Sequence, residues 1–294
     1  MPKISFIIAS IDRDRQLEEC VCSIEKAHEY SPDITIEILV VIQKVNKKKD
    51  IRIRYPEITD FYYTDKIGLS AARNFAIDKS AGEYLVFLDD DAGISENFIN
   101  VLSGKITKYS RIGAFCGRLI DPVLKIPFSV IFSDKRFKKL RRFEYQYFMG
   151  SAHVLSRSVI ERIGYYDERF GAGAKYYGSE ETDIFFRSKA AGEQIVYLPD
   201  LVFFHPVLFP PPDYSYKYSY AFGAMLMKNW ISDKTCFFVY CAIFLRTIFS
   251  SLLRIFQKMF LMGWRKEERR EAYRHYLILR GILSGVVNFI RFEL

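Results

Sequence analysis

Apolar residues follow two alternating rhythms along the chain. Ile4-Ser5-Phe6-Ile7-Ile8-Ala9-Ser10 is rich in β-branched and aromatic types and predicts an opening strand. Over residues 12–29 the apolar positions Leu17, Val21 and Ile24 recur at helical spacing. Residues 34–41 predict a second strand, followed by a mostly polar run over 43–50, and Phe61-Tyr62-Tyr63 predicts a short third. Residues 69–79 predict a helix, and Ala81-Gly82-Glu83 turns the chain into Tyr84-Leu85-Val86-Phe87-Leu88, the pattern of a strand buried on both faces. A helix near 97–108 and a strand near 112–119 precede an irregular stretch, 121–147. A strand over 150–155 and a short helix over 157–163 follow, then a glycine-rich loop, 170–178, opening into a helix that runs through Ala191. Residues 194–198 and 202–206 predict two more short strands.

This alternation predicts an α/β fold, a mostly parallel sheet with helices on both faces. Ligands of such sheets bind outside the carboxyl ends of the strands. Pro210-Pro211-Pro212 marks a boundary, giving a sheet domain over 1–212 and a helical extension over 213–294. Within the extension, residues 236–264 are very apolar and aromatic, but the run uninterrupted by charge covers only 236–245. That is short of the roughly 20 residues a spanning helix needs. Arg246, Arg254 and Lys258 share one helical face, and Phe249, Leu252, Phe256 and Phe260 the opposite one. The pattern predicts an amphipathic helix lying in a membrane interface, its basic side toward anionic headgroups. The alternative is a helix packed on the sheet domain with a solvated basic stripe.

The 294 residues suffice for one large α/β domain with an appendage, and the net charge is +8. Residues 234–294 carry eleven Lys and Arg against four acids, so the rest is nearly neutral. A second basic run lies over 135–142. Such patches can face nucleic acid, membrane phosphates or nucleotide diphosphates. Five scattered cysteines form no disulfide framework or zinc site, since Cys20 and Cys22 lack a second pair. With a strand pattern starting at once after Lys3, a reducing cytoplasm is expected.

The strand over 84–88 runs straight into Asp89-Asp90-Asp91. Three adjacent carboxylates repel and are costly to desolvate without a counter-charge. A divalent cation such as Mg²⁺ or Mn²⁺ supplies one and commonly shares the site with substrate phosphates. An Asp-rich turn capping the next helix is the plainer alternative.

Six segments in order resemble the family-2 glycosyltransferases of the GT-A fold, especially bacterial members that build capsule, O-antigen and other surface polysaccharides. They are Ile7-Ile8-Ala9-Ser10-Ile11-Asp12-Arg13, Gly68-Leu69-Ser70-Ala71-Ala72-Arg73-Asn74, Phe87-Leu88-Asp89-Asp90-Asp91, Tyr166-Asp167-Glu168-Arg169-Phe170-Gly171, Glu180-Glu181-Thr182-Asp183-Ile184-Phe185-Phe186-Arg187, and Val196-Tyr197-Leu198-Pro199 with Phe204-His205-Pro206.

The resemblance implies a GT-A mixed sheet and a metal-dependent, inverting sugar transfer from a UDP- or dTDP-linked donor to a glycan or polyprenyl-linked glycan. It implies Asp91 and His205 as ligands of Mn²⁺ or Mg²⁺, with Asp89 sharing the metal or touching the ribose. It further implies Glu181 as general base, Asp183 as the runner-up, and Glu180 as a group orienting the acceptor. Acids in a first helical turn also favour the helix dipole whatever the function. Ser10, Asp12, Arg13, Gly68, Arg73, Asn74 and Asp90 fall on the nucleotide side, with Arg73 suited to a base carbonyl or phosphate. The plainer reading of Arg73 is a surface residue of a helix. Gly150 and Ser151 match the strand edge that lines the donor sugar. Ile11 and Ile42 depart from the Tyr and Asp common among relatives, leaving Gln43 as an amide that could reach the base.

Two other classes compete. A nucleotidyltransferase would be expected to carry a glycine-rich phosphate loop after the first strand, and Ser10-Ile11-Asp12-Arg13 has no glycine. A nucleic-acid-binding protein would explain the basic tail, but its basic residues are interleaved with an apolar face better suited to lipid. The expected place of action is the inner face of the plasma membrane, as a peripheral protein. A homo-oligomer built on the aromatic C-terminal segment is open.

Overall fold

A computed structural model describes residues 3–11, 13–43, 53–133, 135–207, 211–233, 237–261 and 266–293. Among the described residues, nine strands form one mixed sheet, in the order β3-β2-β1-β4-β8-β6-β9-β5, with β7 pairing on β9. These are β1 (Ile4–Ser10), β2 (Ile36–Gln43), β3 (Thr59–Thr64), β4 (Tyr84–Asp89), β5 (Gly93–Ile94), β6 (Ala114–Ile120), β7 (Lys138–Lys139), β8 (His153–Ser156) and β9 (Ile195–Phe204). The first four are parallel, with Ala9 level with Asp89 and Ser10 level with Ile42. The strands β1, β2 and β4 therefore deliver Ser10, Gln43 and Asp89 to one edge of the sheet.

The sheet's other half changes direction. β8 runs antiparallel to both β4 and β6, so residues 150–152 just before it reach the same edge. β9 runs parallel to β6 and brings His205 there. The two short strands expected over 194–206 are one strand whose register slips opposite Gly117 and Arg118. The slip lets Pro199 sit within a strand, because a bulge needs no ladder N–H there.

The sheet is flanked by α1 (Asp14–Tyr30), α2 (Leu69–Lys79), α3 (Phe98–Lys108), α4 (Arg157–Ile163) and α5 (Glu180–Ala190). α1 buries Leu17, Cys20, Val21, Ile24 and Ala27, the apolar spacing seen in the sequence. Three C-terminal helices follow: α6 (Pro212–Ser232), α7 (Phe237–Phe256) and α8 (Lys266–Glu293). Ala221, Ala224, Met225, Tyr240, Ile243 and Phe289 join the same buried cluster as the sheet. α6 and α8 meet backbone to backbone. A Cβ on Gly223 would lie 2.2 Å from the Ile282 carbonyl oxygen, and one on Gly285 would lie 2.0 Å from that of Tyr220. The spacing of Gly281 and Gly285 is the small-residue pattern that lets two helices approach this closely.

α7 buries Tyr240, Ile243 and Ser251 and leaves Phe249, Leu252 and Phe256 exposed. It continues unbroken past Arg246 and Arg254, and residues 237–259 are long and apolar enough to cross a membrane by length and composition. Among the described residues Cys20, Cys22, Cys116 and Cys241 are free thiols.

Candidate active site

The carboxyl edge of β4 carries the acidic triplet. Asp90 is buried, accepting from Ser10 Oγ at 2.8 Å and Arg13 Nη1 at 3.0 Å. Burial outweighs those partners and holds its carboxyl above the ordinary range. Asp91 accepts from the same Arg13 Nη1 at 2.7 Å and lies 3.3 Å from His205 Nε2. Burial opposes ionisation there too, but the His205 contact and Arg13 outweigh it, and Asp91 sits below its usual pKa. Burial likewise lowers His205, while Asp91 and Asp89 more than restore it. One ligand atom from each of Asp89, Asp91 and His205 fits within 4.8 Å of the others. Two carboxylate oxygens and an imidazole form a donor set for a divalent cation, so the residues present fit the kind of ion the resemblance implies.

Arg73 lies beneath this cluster rather than on a helix surface. Its side chain is wholly buried, with Nη2 donating to Asp89 Oδ1 and to the Gly150 carbonyl, both at 2.9 Å. Nη1 reaches Glu180 Oε1 at 3.2 Å, and the guanidinium packs over the rings of Phe87 and Tyr166. Asn74 faces the protein too, clamping the Tyr166 backbone through both amide atoms at 2.9 Å. Gly68, with φ +140°, gives its N–H to Gln43 Oε1 at 2.7 Å just before α2 begins.

The first turn of α5 presents Glu180 and Glu181 side by side. Burial and the facing Glu180 carboxylate push Glu181 well above the usual carboxylate range. Glu180 is also raised, chiefly by burial, with Arg73 opposing. Asp183 is elsewhere. Its carboxylate is fully buried and engaged by Arg187 Nε at 2.8 Å, Lys228 Nζ at 2.7 Å and Asn229 Nδ2 at 2.9 Å.

A cavity of about 920 Å³ joins these groups. Asp89, Asp90, Asp91, Glu180, Glu181 and His205 all line it, as do Arg13, Gln43, Gly150 and Ser151. Asp12 falls outside the described residues.

The sequence of residues 5–164 matches the family model described as "Glycosyl transferase family 2". The chain belongs to glycosyl transferase family 2. It is 25% identical over 200 residues to the Campylobacter jejuni protein named GalNAc(5)-diNAcBac-PP-undecaprenol beta-1,3-glucosyltransferase, covering 62% of this chain and 58% of that protein. Staphylococcus aureus TarS 1–349 in complex with UDP superposes with a TM-score of 0.59 at 11% identity, over 98% of this chain and 91% of that one. The mannosyltransferase PcManGT from Pyrobaculum calidifontis, in complex with GDP-Man and Mn²⁺, gives 0.58 at 14% identity, over 99% and 76%. These likenesses show the GT-A fold.

The family match ends before the last third of this glycosyltransferase, yet that part lines the cavity. Tyr214, Tyr218 and Phe222 of α6 face it, with Tyr177 from the glycine-rich loop, Thr247 from α7, and Ile278 and Ile282 from α8. Partial burial and the nearby Tyr177, Glu180 and Glu181 push the Tyr218 hydroxyl up to about 12. Sequence reasoning passed over these residues. The signal was present as an aromatic stripe at i, i+4 and i+8 over 214–222, but a stripe does not say what it faces.

Proposed function

We propose that the protein is a metal-dependent, inverting transferase that moves one sugar from a UDP- or dTDP-linked donor to a growing, lipid-linked bacterial surface polysaccharide. The observation that carries this reading is the single cavity in which Asp89, Asp91 and His205 stand beside Glu180 and Glu181, with Arg73 tying the two groups together. Asp89, Asp91 and His205 would hold the divalent cation. When bound, the cation offsets the negative charge that the leaving nucleoside diphosphate gains.

The chain's own residues do the rest. Glu181 accepts the proton of the acceptor hydroxyl as its oxygen bonds to the anomeric carbon and the bond to the donor phosphate breaks. Attack opposite the leaving group inverts that carbon. A base held above the ordinary carboxylate range is closer in proton affinity to its task. Glu180 and Asp89 are held by Arg73, which fixes the spacing between base and diphosphate end. Gln43, Gly150 and Ser151 line the donor side.

The lipid-linked acceptor is supported by the polyprenol-linked substrate in the Campylobacter relative's name and by the exposed apolar and basic faces of α7. An interfacial seat at the inner face of the plasma membrane accords with both. The test is a thermal-shift panel of UDP, dTDP, GDP and CDP, each with and without Mn²⁺. Stabilisation by UDP or dTDP that requires Mn²⁺ is the expected result. Equal response to all four, or none with metal, would overturn the reading.

A further inference from the structure

The cavity does not end at the carboxylates. Tyr214, Tyr218 and Phe222 form one stripe of α6, and at the helical rise their span is about 12 Å. Tyr218 is pressed against the backbone before α5; a Cβ on Gly178 would lie 3.2 Å from its ring. One turn farther, Phe222 stacks on Tyr145 at 5.5 Å. Thr247, Ile278 and Ile282 line the same cavity. Phe222, Ile278 and Ile282 bring no polar side-chain group to it, and the Thr247 hydroxyl is turned back on its own helix, donating to the Ile243 carbonyl at 2.8 Å.

A glycan needs hydrogen-bond partners along its length, and this wall offers few. Hydrocarbon needs none, and gains from leaving water. The same helix that supplies Thr247 exposes Phe249, Leu252 and Phe256 on its outer side. Apolar surface is thus present both on the helical wall of the cavity and on the outside of α7.

We infer that the corridor bounded by Phe222, Thr247, Ile278 and Ile282 receives the isoprenoid hydrocarbon of the acceptor, with Tyr218 marking where the lipid gives way to sugar. This rests on the lipid-linked-acceptor reading above. The tyrosines leave room near Glu181 for the sugar that carries the attacking hydroxyl, while the proximal isoprene units, at the far end of the acceptor, lie against α6 and α8.

The test uses the full chain in vesicles of phosphatidylethanolamine and phosphatidylglycerol with a diazirine-bearing polyprenyl diphosphate. Photolabel is expected on peptides holding Phe222, Thr247 or Ile278. Unlabelled polyprenyl diphosphate should compete with it, and Ile278→Trp, which fills the corridor, should reduce it about tenfold. Label confined to the outer face of α7 overturns the inference, as does competition by the vesicle phospholipids alone. Measured transfer to polyprenyl-linked glycan without corridor label defeats the inference only. Corridor label with no transfer to any lipid-linked glycan keeps the site and removes the acceptor reading.

Discussion

Arg73 Nη2 and Asp89 Oδ1 meet at 2.9 Å inside the protein, and the same guanidinium reaches Glu180. A buried cation between two carboxylates ties the β4 edge to the first turn of α5. Arg73→Lys removes the planar fork that serves three acceptors at once. Leaving a buried carboxylate unpaired costs about 3–5 kcal/mol, and a loss of that order should appear in denaturant unfolding. A variant within about 1 kcal/mol of the parent and fully active would contradict this role.

Glu181→Gln should retain donor binding and lose about 100- to 10 000-fold in kcat. Since Glu181 must be ionised to accept a proton and its pKa is raised, activity should climb with pH along a limb lying above the ordinary carboxylate range. A pH–rate profile already flat at pH 5 would remove Glu181 as the base.

Asp91→Ala should abolish the Mn²⁺-dependent part of nucleotide stabilisation while leaving the unliganded melting point within a few degrees. At a ligand concentration about 100 times Kd, the part lost would be about 2.7 kcal/mol. Unchanged metal dependence, measured calorimetrically, would move the cation elsewhere.

His153 stacks on Phe87, its Nδ1 donating to the Met149 carbonyl and its Nε2 accepting from the Tyr166 hydroxyl. Burial and the charge of Arg73 lower its pKa to about 3. The unfolded chain binds a proton at this residue below about pH 6.5 and the native chain does not, so stability falls as pH drops through that window. The slope from this group is about 1.4 kcal/mol per pH unit. His153→Phe should lose that share of acid sensitivity, and an identical pH–stability curve would show the slope arises elsewhere.

Phe249→Glu and Leu252→Glu lie on the exposed face of α7 and should weaken sedimentation with anionic vesicles about tenfold each, without changing the melting point. Undiminished sedimentation would refute the interfacial seat.

Much of the sheet was legible because buried strands announce themselves as apolar runs, and Leu69–Lys79 was found with both ends in place. The Asp triplet was legible because charges following such a run demand a partner. Arg73 was not. Helical spacing gives the side of a helix but not what covers it, and here β4, the turn before β8 and α5 all close over one arginine. Asp183 looked like its two acidic neighbours, and Lys228 and Asn229, arriving from α6, join Arg187 in setting it apart. The tyrosine wall depends on the same long-range return of the chain.

At Gly223, Gly281 and Gly285 the backbones of α6 and α8 meet with no side chain between them. Close-packed surfaces transmit displacement rather than absorb it. The pair therefore acts as one stave of a barrel: tilt the outer helix, and Tyr214 and Tyr218 tilt with it. A chain cut after residue 212 would not be a smaller version of the same machine but a vessel open along one side, because Tyr214, Tyr218, Phe222, Thr247 and Ile278 would go with the part removed.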